Sequence, residues 1–340
     1  MNKKTVITIL TALILCTITT RTTNLTTKAN MLIVPDKYET IQEAINAASP
    51  GDTIQVTAGI YCENITIDKS INLVGENPAT TIIDGIPPGI RITISADNVR
   101  VQGFTVRNGE AGIFLRKTSG HKIINNIVTL NNEGIYLQYS HNTTVYRNLV
   151  VGNILSGICL WEATNNTIIG NQVIEGKGFG IDFWTYEGRN KIIGNNIEDN
   201  QWDGIYMSES NNNAIFRNNI VNNSVQTYKS NNNNWDNGAE GNFWSFYTGQ
   251  DKDGDGIGDT PYTINNNTDN RPLMHNYVLG DINHDGTVNA TDISLLKESF
   301  STKIGEAQWN VCTDLNYDGF TNARDAIILA INYEKTLVKA

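Results

Sequence analysis

The sequence has little cysteine, histidine, proline and basic charge. Its 340 residues include four Cys, four His and seven Pro, and the formal net charge is −10 at pH 7. Beyond the N-terminal region the cysteines are Cys62, Cys159 and Cys312, an odd and scattered set that excludes a disulfide framework. The acidic charge argues against nucleic acid as a partner, because phosphates would be repelled. No apolar run after residue 29 is long enough to cross a membrane.

The N-terminal segment has the pattern of a signal peptide. Lys3 and Lys4 precede an apolar stretch over residues 6–19, which is short for a helix that spans a bilayer. We predict a signal peptide over residues 1–29, cleaved near Ala29, and therefore a secreted, extracellular or cell-surface protein. Its removal would take away four basic residues and no acidic ones, which moves the formal net charge to −14. An uncleaved membrane anchor is the open alternative.

A motif of Gly, Ile, any residue and a large apolar residue recurs about every 23 residues. It begins at Gly112, Gly134, Gly157, Gly180 and Gly204. Two further apolar columns keep the same period; they contain Ile123, Val145, Ile168, Ile192 and Ile215, then Ile127, Val150, Val173, Ile197 and Ile220. Short alternating segments without helical periodicity predict three strands per coil, and stacked coils would bury the apolar face that one coil cannot bury alone.

Asparagine is the abundant residue, at about one residue in seven. Five Asn stand in register, namely Asn125, Asn148, Asn171, Asn195 and Asn218. We predict that they form an internal ladder of side-chain amides at a left-handed turn. Apolar residues at helical spacing over residues 40–48 predict a helix that caps the first coil. The fold class is therefore mainly β, a parallel β-helix of about eight coils over residues 31–276.

Several segments beside the repeats resemble NosD-like right-handed β-helix proteins. They are residues 33–35, 40–45, 50–54, 82–85, 241–245 and 259–262. The resemblance implies a right-handed coil and a place among carbohydrate-binding and sugar-hydrolase β-helices. Since one fold hosts many functions, it predicts the fold more strongly than the activity.

Two twelve-residue loops near the C-terminus have oxygen ligands at positions 1, 3, 5, 7, 9 and 12 and Gly at position 6. The first offers Asp281, Asn283, Asp285, Thr287, Asn289 and Asp292; the second offers Asp314, Asn316, Asp318, Phe320, Asn322 and Asp325. Thr287 and Phe320 would contribute backbone carbonyls. Each loop runs into an apolar-periodic helix, as in an EF-hand, and we predict one Ca²⁺ ion in each.

The doubled loop–helix unit, with Asn at positions 3 and 9 and Asp at position 12, resembles a type I dockerin over residues 280–333. We assign residues 277–340 to this domain. The resemblance implies a cohesin-bearing partner, contacted by loop positions 10 and 11. Those residues are Ala290, Thr291, Ala323 and Arg324. Because the two pairs differ, symmetric binding in two orientations is not expected.

A third acidic turn, over residues 251–259, alternates carboxylates with glycines. Its candidate Ca²⁺ ligands are Asp251, Asp253, Asp255, the Ile257 carbonyl and Asp259. The alternative is an acidic linker without metal.

We expect the Gly-Ile strands to stack into one flat face, on which the outward-pointing residues of successive coils form columns. The candidate carbohydrate-binding residues there are Tyr136, Tyr139, Trp161, Asp182, Trp184 and Tyr206. Aromatic faces stack on sugar rings while polar groups bond hydroxyls, although the same aromatics could simply stabilise neighbouring strands. Glu162 and Glu209 share a column at a separation that sugar hydrolysis permits, but the pattern assigns no catalytic residue.

Two functions remain open at this point. The first is a secreted β-helix that binds or processes polysaccharide, as a glycoside hydrolase or polysaccharide lyase if it is an enzyme, and attaches through a dockerin. The second is a structural surface protein with the β-helix as a spacer. Copper handling, which the NosD resemblance also suggests, is disfavoured because the four histidines share no column.

Overall fold

The computed structural model describes residues 29–85, 88–185, 188–228, 232–264 and 267–336, and the predicted signal peptide falls outside the described residues except for Ala29. Three parallel sheets wind into a β-solenoid, each strand pairing with the equivalent strand of the next coil. Sheet I has nine strands: Met31–Val34, Thr53–Val56, Asn72–Gly75, Arg100–Gln102, Lys122–Ile124, Thr144–Tyr146, Thr167–Ile169, Lys191–Ile193 and Ala214–Phe216.

The other two sheets complete each coil. Sheet II has nine strands: Gly59–Tyr61, Thr81–Asp84, Thr105–Arg107, Ile127–Thr129, Leu149–Val151, Gln172–Ile174, Asn196–Glu198, Asn219–Val221 and Phe243–Trp244. Sheet III has eight: Ile65–Ile67, Ile92–Ile94, Ala111–Arg116, Glu133–Gln138, Ser156–Trp161, Phe179–Trp184, Asp203–Ser208 and Val225–Tyr228. The predicted parallel β-helix is confirmed, with about nine coils where the periodicity indicated about eight.

The core of the solenoid is a continuous column of Ile, Val and Leu. In the Gly-Ile motif both the Ile and the large apolar residue two positions later point inward; Ile135, Leu137, Ile158 and Leu160 are each 0% exposed. Helix α1 (Ile41–Ala47) packs on the first strands of sheets I and III and buries Ile41, Ala44 and Ile45. A capping box at Thr40 starts it, so the predicted cap is present at the N-terminal end.

Asparagine ladders line the turns of the solenoid. In the ladder between sheets I and II, each amide nitrogen donates to the side-chain oxygen of the next coil at 2.9–3.0 Å, from Asn126 through Asn148, Asn171, Asn195 and Asn218 to Asn242. A second ladder, Asn166–Asn190–Asn213–Asn233, precedes the strands of sheet I. Because each side chain also bonds backbone groups, these buried amides are well satisfied.

Two positions in one coil differ from the prediction. Asn126 joins the ladder, whereas Asn125 takes the left-handed turn conformation with φ 52°. Likewise Val128 points into the core in place of the predicted Ile127, which is the register partner of Leu149. The coil that starts there has 22 residues and the next one has 23, and the adjacent pairs Asn125–Asn126 and Ile127–Val128 made both registers look equally good in the sequence.

The C-terminal part is helical and carries both EF-hand-like loops. Helix α2 (Ala290–Glu298) follows the first loop, and helix α3 (Ala323–Asn332) follows the second, after a short 3₁₀ turn Val311–Thr313. Antiparallel pairs join Thr302–Lys303 to Phe320–Thr321 and, at the end of the solenoid, Tyr262–Ile264 to Asn267–Asp269. Within the described residues, none of the helices has the length and apolar character needed to span a bilayer.

Candidate functional site

The outer surface of sheet III carries the predicted sugar-binding residues. Trp161 and Trp184 are register partners on neighbouring strands and are 40% and 41% exposed. Tyr139 lies just beyond its strand at 36% exposure, and its hydroxyl donates to Glu162 at 3.4 Å. The structure therefore brings these three rings to one face, on adjacent coils about 4.8 Å apart.

The remaining predicted residues lie deeper in the same face. Tyr136 and Tyr206 are half-buried and packed in a row of rings: Tyr136 stands 5.1 Å from Phe114 between ring centroids, and Tyr206 stands 4.7 Å from Phe179 and 5.7 Å from Tyr228. Asp182, expected to face outward, is only 1% exposed. It lies between Cys159 and Tyr206 on the neighbouring strands and accepts a hydrogen bond from Trp184 Nε1. Stacking between rings on neighbouring strands therefore accounts for part of this row. This was the alternative interpretation of these aromatics, in which they stabilise the strands.

Asp182 belongs to a group of three carboxyls, Glu133, Asp182 and Asp203, which we call the carboxyl cluster. The Ser156 hydroxyl donates to Asp182 Oδ2 at 2.8 Å, and Trp184 Nε1 donates to the same oxygen at 2.6 Å. Ser156 is the register partner of Glu133. One oxygen of each carboxyl, Glu133 Oε2, Asp182 Oδ1 and Asp203 Oδ1, is buried without a hydrogen-bond partner among the described residues.

The electrostatics of the carboxyl cluster are unusual for acidic side chains. Burial, reinforced by the charge of Asp182, raises the pKa of Glu133 to about 7. Burial also raises the pKa of Asp182 to about 7, with the charge of Asp203 adding to the effect. Asp203 shows a raised pKa for the same primary reason. Groups that exchange protons near neutral pH in an aromatic-lined face are candidates for acid–base work.

Sequence reasoning missed Glu133, Ser156 and Asp203. Each occupies the residue just before the Gly of the repeat, a position that looks like the end of a turn. The strand actually begins there, and pairing skips the Gly, so that these side chains lie beside the outward column of Asp182. An acidic residue recurring before Gly-Ile was the available signal.

The first EF-hand-like loop has an oxygen-rich interior. Asp281 accepts from the Asp285 and Gly286 amides, and Asp292 accepts from the Ile282 and Asn289 amides, at 2.7–3.1 Å. Gly286 has φ +84°, the conformation that needs glycine at loop position 6. The Oδ1 atom of Asn283, a predicted ligand, is buried without a partner among the described residues, as expected of an oxygen that would bind a cation.

The second loop repeats the arrangement of the carboxylates, but the side-chain oxygen of Asn316 at position 3 accepts from the Asp318 amide at 2.9 Å. Asp314 accepts from the Asp318 and Gly319 amides, and Asp325 accepts from the Leu315 and Asn322 amides. Burial raises the pKa of Asp281 and of Asp325 to about 6, with nearby carboxylates adding to the effect. A divalent cation would relieve this repulsion, so the residues present in both loops fit Ca²⁺.

The acidic turn at residues 251–259 is more open. Asp251, Asp253 and Asp255 each place an oxygen within 4.8 Å of the others. Asp251 is fixed by the Gly254 and Gly256 amides at 2.7 and 2.9 Å, and the charge of Asp255 raises the pKa of Asp253. Asp259 instead accepts from the Lys252 amide at 2.9 Å. The turn gathers three of the predicted carboxylates.

The predicted cohesin-contacting residues lie at the starts of α2 and α3. Ala290, Thr291 and Arg324 are exposed, and Ala323 is half-buried. Arg324 reaches Asp318 at 3.4 Å while remaining 77% exposed. Three of the four side chains are thus accessible to a partner.

Two family profiles match the chain. The family described as "Periplasmic copper-binding protein (NosD)" matches residues 45–249, and the family described as "Dockerin type I domain" matches residues 279–333. Type I dockerins are calcium-binding domains that attach to cohesins, which agrees with the donor set of the two loops. Calcium is therefore the metal that this part of the chain supports.

A protein described as "Cell surface glycoprotein" from Methanothermus fervidus is 29% identical over 168 residues, 45% of this chain and 28% of that protein. The chain spans less than a third of the length of this curated relative. Among solved structures, "Geobacillus virus E2 - ORF18" matches with a TM-score of 0.47 and 16% identity, over 59% of this chain and 52% of the other. The Azotobacter vinelandii mannuronan C-5 epimerase AlgE4 A-module matches with a TM-score of 0.46 and 15% identity, over 57% and 70%. Such distant likenesses carry no conclusion about activity.

The family's description names copper, but the described residues of the matched range do not fit a copper site. His121 is buried and His141 accepts from the Thr164 amide, and neither belongs to a group of three or more potential metal ligands among the described residues. Copper would need such a cluster. The profile nevertheless covers more than half of the sequence, and the chain belongs to the NosD family and carries a C-terminal type I dockerin domain.

Proposed function

We propose that this chain is an exported β-helix protein that binds polysaccharide on the outer face of sheet III and attaches through its dockerin to a cohesin-bearing partner. A dockerin works outside the cytoplasm, and a related sequence is described as a cell surface glycoprotein, which supports a location outside the cell or on its surface.

The paired tryptophans Trp161 and Trp184 carry the carbohydrate proposal. Two large apolar rings at 40% and 41% exposure, on successive coils, cost hydration free energy unless a ligand covers them. Sugar rings offer apolar faces that stack on indoles, and the polar groups of Glu162 and Tyr139 beside them suit hydroxyls. A repeated chain of sugars would run along the stacked coils.

Processing of the bound chain is the finer part of the proposal. Glu133 and Asp182 share Ser156 as a neighbour and hold protons near neutral pH, as an acid–base pair requires. The chemistry would be that of a glycoside hydrolase or polysaccharide lyase. The observation that supports it is the buried, unpartnered oxygen on each carboxyl.

Calcium would occupy three places. Two ions would lie in the dockerin loops, and a third would lie between Asp251, Asp253 and Asp255, which approach one another closely enough to share it. Cohesin would contact the exposed Thr291 and Arg324.

A second candidate is a non-catalytic surface spacer. The ladder from Asn126 to Asn242 favours it, because unbroken amide stacking along the solenoid makes a stiff rod. In that case the tryptophans would serve only packing between strands.

A glycan screen separates the two candidates. The full chain, Trp161→Ala, Trp184→Ala and a control at an exposed aromatic outside sheet III, Phe246→Ala, would be tested against a polysaccharide panel. Binding that the two Trp variants lose and the control keeps supports the proposal. No binding to any glycan, with cohesin attachment intact, supports the spacer.

An assay for released reducing ends and unsaturated uronates tests the processing step. Glu133→Gln and Asp182→Asn should abolish product formation, while Glu175→Gln, at an exposed residue that follows a sheet II strand, should retain it. Binding without product in the parent would restrict the function to binding.

A further inference from the structure

The dockerin rests on the end of the β-helix through one residue from each calcium loop. His284 and Tyr317 both occupy loop position 4, which supplies no ligand. Both have left-handed backbones, with φ of 56° and 60°. The loop conformation therefore decides where these two side chains point.

His284 inserts next to a buried ion pair. Its Nε2 atom hydrogen-bonds Glu240 Oε2, and Glu240, which is 0% exposed, also pairs with the buried guanidinium of Arg217. From the second half of the dockerin, Cys312 Sγ donates to Glu240 Oε1 at 3.3 Å. Both repeats of the dockerin thus reach one carboxylate of the β-helix.

Tyr317 makes the matching contact from the second loop. Its hydroxyl is 3.2 Å from that of Tyr277, and its ring centroid is 5.1 Å from the guanidinium carbon of Arg217. Phe216 meets the same ring edge-on at 6.2 Å. Arg217 also donates to the Val311 carbonyl at 3.1 Å. One buried arginine therefore contacts both the second loop and the 3₁₀ turn before it.

The segment that connects the two parts is fixed as well. The Tyr277 amide donates to Asn219 Oδ1 at 2.6 Å, and Asn219 Nδ2 donates to the Tyr277 carbonyl at 3.2 Å. Asn219 belongs to the last complete coil, so the connection is held in a defined direction.

The burial of Arg217 and Glu240 depends on the dockerin. A charged pair removed from water is favourable only when further hydrogen bonds support it. His284 and Cys312 supply these to Glu240, and the Val311 carbonyl accepts one from Arg217, whose Nη1 atom alone has no partner among the described residues. They can do so only when both loops hold their native shape. Asp281 and Asp314 anchor that shape and are predicted Ca²⁺ ligands.

We propose that calcium binding to the dockerin and docking of the dockerin on the β-helix are thermodynamically coupled, with the end of the β-helix serving as a receptor for the calcium-loaded loops. Coupling is reciprocal: calcium strengthens the junction, and an intact junction tightens calcium binding by the same factor. Thr291 and Arg324 stay exposed in the docked state, so an external partner can bind at the same time.

Calcium titration of full-length variants tests the coupling from the side that binds no calcium. Glu240→Gln, a substitution outside the dockerin, should weaken Ca²⁺ binding about fivefold or more. Tyr277→Phe, which removes only the hydroxyl that contacts Tyr317 and lies outside both loops, should weaken it less and guards against a folding defect in Glu240→Gln. Glu162→Gln, the same chemical change on sheet III, should leave the affinity unchanged.

The three cysteines in the described part of the chain report the state of the junction directly. Cys62 is exposed, Cys159 is buried in the solenoid and Cys312 is buried at the junction. In saturating Ca²⁺ the parent should alkylate at Cys62 alone, whereas Glu240→Gln should also alkylate at Cys312 with Cys159 still protected. Unchanged calcium affinity in both junction variants, or Cys312 equally protected in Glu240→Gln, would overturn the coupling.

Discussion

The β-helix and the dockerin both repeat a unit, but they stabilise it differently. The β-helix stacks about nine coils, so every inner coil has neighbours on both sides and a continuous apolar column inside. The dockerin has two units and a core of eight buried apolar side chains among the described residues. A core that small supplies little stability, so ligand-filled loops must supply the rest. Comparison of the two regions predicts which of them should respond to calcium and which to core or ladder changes.

Removal of calcium should have the largest effect on stability, and it should affect the dockerin alone. When free calcium is a thousandfold above Kd, each bound ion contributes about 4 kcal/mol to the free energy of unfolding. Chelation should therefore unfold the dockerin while the coils persist. Thermal melts should show two transitions in Ca²⁺, and in EDTA the dockerin transition should be lost while that of the coils remains. A single transition that ignores EDTA would contradict this.

Truncation of a core side chain should have the opposite effect, because it destabilises the β-helix and not the dockerin. Leu160 is 0% exposed in the middle of sheet III. Leu160→Ala should lower the free energy of unfolding of the β-helix by about 2–5 kcal/mol, because it leaves a cavity that stacked coils cannot close. Denaturant unfolding measures this loss, and the calcium affinity should not change. A fall in both would mean that the two regions unfold as one unit.

The asparagine ladder should contribute less per residue than the core. Asn195 donates to the Ile168 carbonyl and to Asn218 Oδ1, each at 2.9 Å, and accepts from Asn171. Asn195→Ala leaves buried partners unsatisfied, at about 1–3 kcal/mol. Denaturant unfolding is again the readout. Asn132→Ala, at an exposed site, should cost little, and equal losses in both variants would show that the ladder adds no stability.

The carboxyl cluster should make the stability of the β-helix depend on pH. Burial raises the pKa of Asp182 to about 7 from 3.8. The folded state then binds more protons between these values, so the free energy of unfolding falls as pH rises from about 4 to about 7. Asp182→Asn does not lose stability in this way, so its Tm relative to the parent should rise between about pH 4 and about pH 7. A constant difference would contradict the raised pKa.

The smallest effect on stability should come from Arg324. Its pairing with Asp318 is 3.4 Å long and the side chain is 77% exposed, so solvent screens it. Arg324→Ala should change the free energy of unfolding by less than about 1 kcal/mol. Binding to a cohesin panel should nevertheless weaken, because this side chain belongs to the proposed partner face. Unaltered binding to every cohesin that recognises the parent would remove Arg324 from that face.

Periodicity made the coils predictable, and it failed where the period changes. Ile123, Val145 and Ile168 lie in register as predicted, because each points to the same core one coil apart. The coil that contains Asn125 and Asn126 is one residue shorter than the coil after it, and neighbouring residues of the same type hid the shift. The EF-hand-like loops were predictable because each ligand position is local in the chain.

The sequence pattern could not predict burial by residues that are distant in the chain. Asp182 was expected outside, since alternation gives the side of the sheet but not what covers it. The junction between the two regions also escaped, because Arg217 and the Val311 carbonyl are 94 residues apart and no repeat relates them. Such contacts depend on how the chain folds back after the last coil.

Hydrogen exchange of the full-length protein, with and without calcium, tests the central contrast most directly. The account predicts that the amides of residues 281–292 and 314–325 lose protection in EDTA, while those of the sheet III strands between residues 111 and 208 keep it. Equal protection of both loops in calcium and in EDTA, or a comparable loss along the coils, would contradict it.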